Sequence, residues 1–464
     1  MISQIIFCSV LMQAFSTRAF TAPSLPPIHY TISRRSGSFP APDTANLTHL
    51  LEELGGVERR FNATTRDFSG NKVVRKPKRI RGTQANTILL GEVGREGNWF
   101  ASLRMGEPAQ TVDMDLDMLT RDFWVLSTCS SKGSWFLDFN SKTYVDSEAP
   151  LSFPTCRGPT DVVHLPAVQR PIPITFAHCR PAKQWLRALL PSGAYLGLAL
   201  SASLSQTKTT GLMEQLSEKK VIDVPMWSLV LINGKEGIFS IGGTSAASVR
   251  QAEKETDEML NPGEHDETTR DTFNSKAEDS LKDWRWMKIH GAEGWWQILM
   301  RGIWVDGIKV LDNQPIVLDV NTPFIVAPPL AARSFYSSIS GSRQLSPPYD
   351  QFHAYPCFNP PKIYFEFEQW NIQVLKGKRN KDTFTPGGRF SLGRMATGSG
   401  YCIGIVVESR MGVGTALAGG ETGSSVSIDE GNGLADVWII GEPFFRDVQV
   451  AFNWKDKEVG MQRT

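Results

Sequence analysis

The 464-residue chain has almost no net charge, because 49 Lys and Arg residues face 48 Asp and Glu residues and leave a formal charge of +1. It also lacks a basic patch interleaved with aromatic residues, the pattern typical of nucleic-acid surfaces. Proteins that bind phosphate backbones or anionic lipid need a basic surface. The sequence therefore gives no electrostatic reason to expect a nucleic-acid partner or a stable membrane association.

Motifs for metals and cofactors are also missing. His164 and His178 lie near Cys156 and Cys179, but the gaps between them match no zinc pattern. The glycine-rich stretch at residues 412–433 lacks the spacing of a phosphate-binding loop. We therefore expect no metal ion and no cofactor.

Long apolar runs are scarce too. The run at residues 5–15 is too short to cross a bilayer, and small residues follow it at Ala19 and Ala22. This pattern predicts an export signal over residues 1–22. Because no second apolar span follows, we expect a secreted, extracellular protein.

The next segment, residues 23–81, is rich in Pro, Ser, Thr and charged residues and shows no strand pattern. It ends in a basic run at residues 75–81. Two interpretations are open: a pro-segment that is removed at a dibasic site, or a disordered, solvated arm. In a secreted chain, Asn46 and Asn62 would be glycosylation sites, because each begins an Asn-x-Thr sequon.

The rest of the chain carries the signature of β-structure. Gly and Pro interrupt it about every 8 to 12 residues, and the segments between them are rich in Val, Ile, Phe and Trp. Only residues 181–190 and 209–219 look helical. The pattern predicts an all-β protein, and 464 residues exceed the usual size of one domain.

One short pattern occurs twice in this β-rich part. Asp117 ends an alternating strand and Asp319 ends an apolar one, and each is followed by a tight turn and a second apolar strand. The turns read Asp-Met-Leu-Thr and Asp-Val-Asn-Thr. An aspartate often caps a turn without any further role. Because these two stand at corresponding points of a duplicated pattern, we interpret them instead as a pair.

With these turns, the chain resembles the pepsin-like aspartic proteases, whose Asp-Thr-Gly-Ser/Thr motif occurs once in each of two lobes. The resemblance runs from about residue 99 to about residue 460, and other elements of that family follow in the same order. They are the opening hairpin at residues 100–110, the Ser-x-Thr-Tyr element at 141–144, the apolar-apolar-Gly elements at 195–197 and 439–441, and the lobe-joining strands at 237–243 and 294–307.

The resemblance implies an all-β, bilobal acid-protease fold with a cleft between two β-barrel-like lobes. The N-terminal lobe would cover residues 82–245 and contain Asp117, and the C-terminal lobe would cover residues 246–464 and contain Asp319. We expect the protein to be a monomer.

The cysteines suit an oxidising compartment. In the resembled family a disulfide closes the C-terminal lobe where Cys357 and Cys402 stand in this chain. Among Cys129, Cys156 and Cys179 one residue must be left over, and the sequence leaves the pairing open. We favour a bridge between Cys129 and Cys156.

In the resembled family, two aspartates lie so close together that they share one proton. One carboxylate is the base for a water molecule, and the other donates to the peptide carbonyl. The resemblance assigns these roles to Asp117 and Asp319. Thr120 and Thr322 stand where the family has the Ser or Thr that supports each carboxylate from outside.

The middle of each motif differs from the family. Met118 and Val320 replace the two Thr residues whose hydroxyls reach across to the other lobe, and we expect neither side chain to make that hydrogen bond. Leu119 and Asn321 replace the Gly residues and would add side chains beside the reactive water. We also expect Leu119 to disfavour the ionised form of Asp117 by desolvation.

The lid of the cleft differs as well. The family closes its cleft with a hairpin that carries a Tyr, whereas residues 145–194 contain no Tyr. A lid that expels water and positions a peptide is therefore not visible in the sequence.

Three hypotheses about function follow. The departures favour a secreted pepsin-fold protein with impaired or lost proteolysis that binds peptide or protein in the interlobe cleft. The second hypothesis is an active acid endopeptidase, because Asp117 and Asp319 are both retained. The third is a structural surface-interaction glycoprotein whose contacts come from insertions such as the acidic run at residues 251–283.

Overall fold

The computed structural model describes residues 27–34, 44–68, 98–126, 136–147, 151, 156–166, 168–179, 193–200, 209–231, 236–244, 284–290, 294–368, 370–375, 388–411 and 436–463. The predicted export signal, the basic run at 75–81, the predicted helix at 181–190, Cys129 and the acidic run at 251–283 lie outside these residues. For Asn62, only the backbone is described, and it is helical.

Strands dominate the described residues, as predicted. They are β1 (Ile28–Arg34), β2 (Trp99–Met105), β3 (Gln110–Asp117), β4 (Phe123–Leu126), β5 (Cys156–Arg157), β6 (Thr160–His164), β7 (Ile172–Thr175), β8 (Ala177–Cys179), β9 (Ala194–Gly197), β10 (Met226–Leu231), β11 (Glu236–Ile241), β12 (Arg285–Lys288), β13 (Gln297–Val305), β14 (Ile308–Leu318), β15 (Ile325–Ala327), β16 (Arg343–Gln344), β17 (His353–Pro356), β18 (Ile363–Phe367), β19 (Trp370–Val374), β20 (Ser391–Arg394), β21 (Tyr401–Gly404), β22 (Val406–Glu408), β23 (Trp438–Ile440), β24 (Val448–Asn453) and β25 (Glu458–Arg463).

Helices are few among the described residues. They are α1 (Leu47–Phe68), α2 (Leu212–Glu218), α3 (Pro329–Ser337) and α4 (Glu442–Phe445), with 3-10 turns at Asp138–Asn140 and Gly388–Phe390. The helix predicted at residues 209–219 is confirmed as α2.

The strands form sheets that correspond to two lobes. One sheet has the strand order β12-β25-β24-β10-β11-β1-β2-β3-β9-β4-β8-β5, and the β6–β7 hairpin joins it through β2. A second has the order β19-β18-β13-β14-β23-β15-β22, and a third the order β16-β17-β21-β20. The predicted all-β, two-lobed pepsin-like fold class is confirmed. Strands β24 and β25, although last in the chain, belong to the sheet of the first lobe through the pairing of β24 with β10.

The segment at residues 23–81 contains a strand that we did not predict. Strand β1 pairs antiparallel with β11 on one side and with β2 on the other. Ile28, Tyr30 and Ile32 alternate with polar residues and are all buried. The expectation of no strand is therefore wrong here, because a short period-2 pattern is present among the surrounding Pro and Ser residues.

Helix α1 follows in the same segment. Its start is capped by Asn46, whose side-chain oxygen accepts the His49 amide hydrogen at 3.2 Å. Apolar residues then recur every three or four positions and form one buried face. The residues of this face are Leu50, Leu54, Val57 and Phe61.

Each lobe contains a disulfide. Cys357 bonds to Cys402, the pairing that the resemblance implies. Cys156 bonds to Cys179, so the expected bridge between Cys129 and Cys156 is wrong. The reason is the register of β5 and β8, which places Cys156 directly opposite Cys179. Two disulfides are typical of proteins of the secretory pathway.

Within the described ranges, no helix combines the length and apolarity that crossing a bilayer requires. In the same residues, no three His, Cys, Asp or Glu side chains are grouped as ligands for a metal ion.

Candidate active site

Each aspartate of the duplicated pattern lies at the end of a strand, beside an apolar-apolar-Gly element. Strand β3 pairs in parallel with β9, and this places Gly197 opposite Asp117. Strand β14 pairs in parallel with β23, so that Ile440 lies opposite Leu318, the residue before Asp319. The two turns therefore have the same topology, as the duplicated pattern predicts.

The glycines of these elements allow a close approach of backbones. A Cβ atom added to Gly197 would lie 2.4 Å from the backbone carbon of Arg121. A Cβ atom on Gly441 would lie 2.0 Å from the carbonyl oxygen of Thr322. Only a residue without a side chain fits where each strand passes the aspartate turn.

Asp117 is held mainly by the backbone of its own turn. Its Oδ1 atom accepts the amide hydrogen of Leu119 at 2.9 Å. The hydroxyl of Thr120 is 3.4 Å from Oδ2, which is long for a hydrogen bond.

Asp319 is held by side chains instead. Its Oδ2 atom accepts the hydroxyl hydrogen of Thr322 at 2.5 Å and an Nη2 hydrogen of Arg60. Its Oδ1 atom has no hydrogen-bond partner among the described residues, although the side chain is completely buried. An acceptor of this kind is suited to a water molecule or to a proton carried by a neighbouring carboxyl group.

The electrostatics of Asp117 reflect both burial and the second carboxylate. Burial raises the pKa of Asp117, and the nearby charge of Asp319 raises this pKa further. Arg60 and the amide of Leu119 act in the opposite direction. Because Leu119 is itself buried, the direction agrees with the expected desolvation of Asp117.

Contacts that the sequence did not predict join the lobes at the substituted positions. Met118 does make a contact across the lobes, because its sulfur lies 3.4 Å from the Val320 amide nitrogen and accepts that hydrogen. For Asn321, the sequence predicted only a side chain beside the reactive water. This side chain reaches the other lobe, where Nδ2 donates to the carbonyl of Leu116 and Oδ1 accepts the amide hydrogen of Trp99 at 3.0 Å.

Sequence reasoning missed Arg60. This residue lies on α1 and forms an ion pair with Asp319 in which only 13% of the arginine side chain is exposed. It also donates to the Thr322 hydroxyl at 3.2 Å. The signal that could have found it is the 3-to-4-residue spacing of the apolar face of α1, which predicts a packed helix rather than a solvated arm.

Two further residues of α1, Glu58 and Phe61, contact the second lobe. Glu58 accepts the amide hydrogen of Arg410 at 2.5 Å and a side-chain amide hydrogen of Gln351 at 3.0 Å. Phe61 is fully buried, and its ring centroid lies 6.4 Å from that of Trp295. Helix α1 thus brings Arg60 to the paired aspartates.

Comparisons with known proteins agree with this geometry. No protein-family model matches the chain. The major aspartyl peptidase 1 of Cryptococcus neoformans var. grubii is 20% identical to it over 427 residues, which are 87% of this chain and 76% of the relative. An aspartic protease of Phaffia rhodozyma is 20% identical over 177 residues, which are 37% of this chain and 35% of that protein.

The similarity to the first relative extends over most of the chain and includes both aspartate turns. The two turns have the same topology, and each places a buried aspartate beside a glycine that has no room for a side chain. This distant homology to fungal aspartyl peptidases, together with the two-lobed β fold, supports membership of the pepsin-like (A1) family of aspartic peptidases.

Proposed function

We propose that this chain is an acid aspartic endopeptidase in a latent form, in which helix α1 covers the catalytic pair. The observation that carries the proposal is the meeting of Asp117 and Asp319 with Arg60 bonded to one of them. A guanidinium on a buried carboxylate neutralises it and occupies the place that a substrate would need. The family to which the chain belongs acts on peptides or proteins.

The two carboxyl groups are suited to different roles. Burial and the charge of Asp319 raise the pKa of Asp117, so Asp117 is the group that carries the proton. Asp319 is a carboxylate, as its ion pair with Arg60 requires. Once Arg60 withdraws, Asp319 takes a proton from water as that water attacks the peptide carbonyl, and Asp117 donates its proton to the carbonyl oxygen.

Residues 23–81 then act as a pro-segment. The basic run at 75–81 follows α1 in the sequence and is the proposed processing site. The predicted export signal at residues 1–22 would take the chain to the secretory pathway, where its two disulfides form.

The decisive experiment compares the full chain with Arg60→Ala. Each is incubated with a denatured mixed-protein substrate at a series of values from acid to neutral pH. Because Arg60→Ala frees Asp319 from its cation, we expect acid-dependent cleavage that exceeds that of the unaltered chain by at least about tenfold. Arg59→Ala, an exposed arginine next to Arg60 on α1, is the matched control and should leave cleavage unchanged.

Asp319→Asn and Asp117→Asn, each combined with Arg60→Ala, identify the source of any cleavage. Both should abolish it, because neither carboxyl group can be acid and base at once. A folded Arg60→Ala chain that cleaves nothing at any pH would reject the proposal. Cleavage that persists in either of the two Asp→Asn variants would also reject the proposal.

The second candidate is a protein that binds peptides in the cleft without cleaving them. It is favoured by Met118 and Val320, which replace the family's Thr residues and are buried. The same Arg60→Ala chain tests this candidate. Peptides should bind to it and be recovered uncleaved. Loss of this binding in a variant with the bulky Asn321→Trp change would locate the peptides in the cleft.

We also propose that Asn46 is glycosylated. Asn46 and Thr48, the two residues that define the sequon, are both exposed. A glycosidase should therefore reduce the mass of the unprocessed chain made by a eukaryotic host, and Asn46→Gln should remove the part of this mass difference that comes from Asn46. An unchanged mass would reject the site.

A further inference from the structure

Three hydrogen bonds connect the lobes next to the paired aspartates. The Val320 amide donates to the sulfur of Met118, and the side chain of Asn321 binds Leu116 and Trp99. Each bond involves Val320 or Asn321, which lie within two positions of Asp319. Trp99 begins β2, whose next residue, Phe100, pairs with Asp115 on β3. The segments on both sides of Asp117 are therefore tied to the turn of Asp319.

The amide of Asn321 has the chemistry of a peptide group. It donates one hydrogen bond and accepts another, and here it offers both to the ends of β2 and β3. Trp99 and Leu116 are fully buried, so their backbone groups would be left without partners if the amide were removed. An ionised carboxylate at this position could not donate to the Leu116 carbonyl.

The sulfur of Met118 has a comparable role on the other side. Met118 and Val320 are each only 1% exposed. The Val320 amide hydrogen therefore needs a partner inside the protein, and the thioether provides a weak one.

We propose that Asn321 and Met118 are positioning residues that set the distance between Asp117 and Asp319 in place of the hydroxyl pair that the sequence lacks. Two carboxyl groups from different lobes share a proton only if the lobes keep a fixed separation. Asn321 stands where the family has Gly, so a return to Gly should harm this chain. The inference rests on the proposed pairing of Asp117 with Asp319, and it does not require that the pair be active.

The test compares the full chain with Asn321→Gly, Asn321→Ala and Met118→Leu. The last change keeps the size of the side chain and removes only the sulfur acceptor. Asn359→Ala, at an exposed asparagine of the same lobe, is the matched control. Two quantities are measured: hydrogen exchange at the Trp99 amide, and the titration of the Asp117 carboxyl carbon by NMR, assigned by comparison with Asp117→Asn.

Both Asn321 variants should raise the exchange rate of the Trp99 amide about tenfold, because they remove its acceptor. They should also change the pKa of Asp117, because Asp319 and its partner Arg60, whose charges both act on this pKa, would no longer be held beside it. Met118→Leu should change this pKa by less and leave exchange at Trp99 unchanged. Asn359→Ala should change neither quantity. Folded Asn321 variants with an unaltered Asp117 titration would overturn the proposal, even if they unfold at lower temperature.

A rescue variant tests whether the amide has replaced the hydroxyl pair. Adding Met118→Thr and Val320→Thr to Asn321→Gly should restore the titration of Asp117. Failure to restore this titration would overturn the inference that the amide of Asn321 has replaced the hydroxyl pair. Because neither measurement uses cleavage, a chain without proteolytic activity can still support the proposal, and an active chain can still contradict it.

Discussion

The turns of Asp117 and Asp319 share a topology but hold their carboxyl groups differently. Asp117 depends on a backbone amide and has a long contact to Thr120. Asp319 has a short bond from Thr322 and an ion pair with Arg60. The first turn is thus supported mainly by its own backbone, and the second by a side chain of its own turn and by Arg60 of helix α1.

This difference shows which features of a duplicated motif depend on the fold and which depend on particular side chains. The parallel strand pairs and the close-approach glycines recur in both halves, because the strands could not cross the turns without them. The groups next to the carboxylates have diverged, because more than one donor can satisfy a buried acceptor. The predictions below test the shared features first and the divergent features afterwards.

The largest effect is expected from Gly441→Ala and Gly197→Ala. Both changes place a Cβ atom within 2.4 Å of backbone atoms, which cannot move aside as a side chain would. Each should reduce the free energy of unfolding by at least about 3 kcal/mol, measured by denaturant titration. Gly441→Ala should be the more severe, because its nearest backbone atom is 2.0 Å away.

Gly400→Ala is the control for this pair. A Cβ atom there would have no neighbour within 4 Å, so the change should alter the free energy of unfolding by less than about 1 kcal/mol. Equal stability of all three variants would mean that the two aspartate turns are not packed against these glycines.

The next effect separates the two aspartates. Asp319→Asn leaves the mostly buried Arg60 without its counterion and should lower the free energy of unfolding by about 2 kcal/mol. Asp117→Asn should not lower it at neutral pH. The folded-state pKa of Asp117 is raised by burial, so above that pKa the ionised form costs stability, and a neutral amide removes the cost.

Denaturant titrations of both variants over a range of pH check this contrast. As the pH falls below the folded-state pKa of Asp117, the wild-type carboxyl group becomes neutral in the folded state, so the difference from Asp117→Asn should shrink and should vanish below the unfolded-state pKa. An equal loss of stability in Asp117→Asn and Asp319→Asn at neutral pH would contradict the asymmetry between the turns.

The sequence was a good guide to the fold and to the elements around each aspartate. Strand patterns and glycine positions could be read from it because they are local and repeated. The contacts of Asn321 and Arg60 could not be read, because each joins residues more than 200 positions apart. The thioether of Met118 was dismissed as a partner although sulfur is a weak acceptor.

The smallest effect concerns the anchoring of α1 at Glu58. Burial raises the pKa of Glu58, although the amide of Arg410 and the side chain of Gln351 act in the opposite direction. A raised folded-state pKa means that ionisation weakens the packed state and that protonation strengthens it as the pH falls. Acid should therefore tighten the hold of Glu58 on the second lobe.

Glu58→Gln tests this sign, because the amide oxygen can still accept the Arg410 hydrogen while the charge is lost. We expect Tm to rise by roughly 1 to 3 °C at neutral pH and to stay unchanged in acid. Glu52→Gln, at an exposed position of the same helix, is the control and should not change Tm. A lower Tm for Glu58→Gln at neutral pH would show that the ionised form is favoured. If the expected sign holds, protonation of Glu58 opposes any release of α1 by acid.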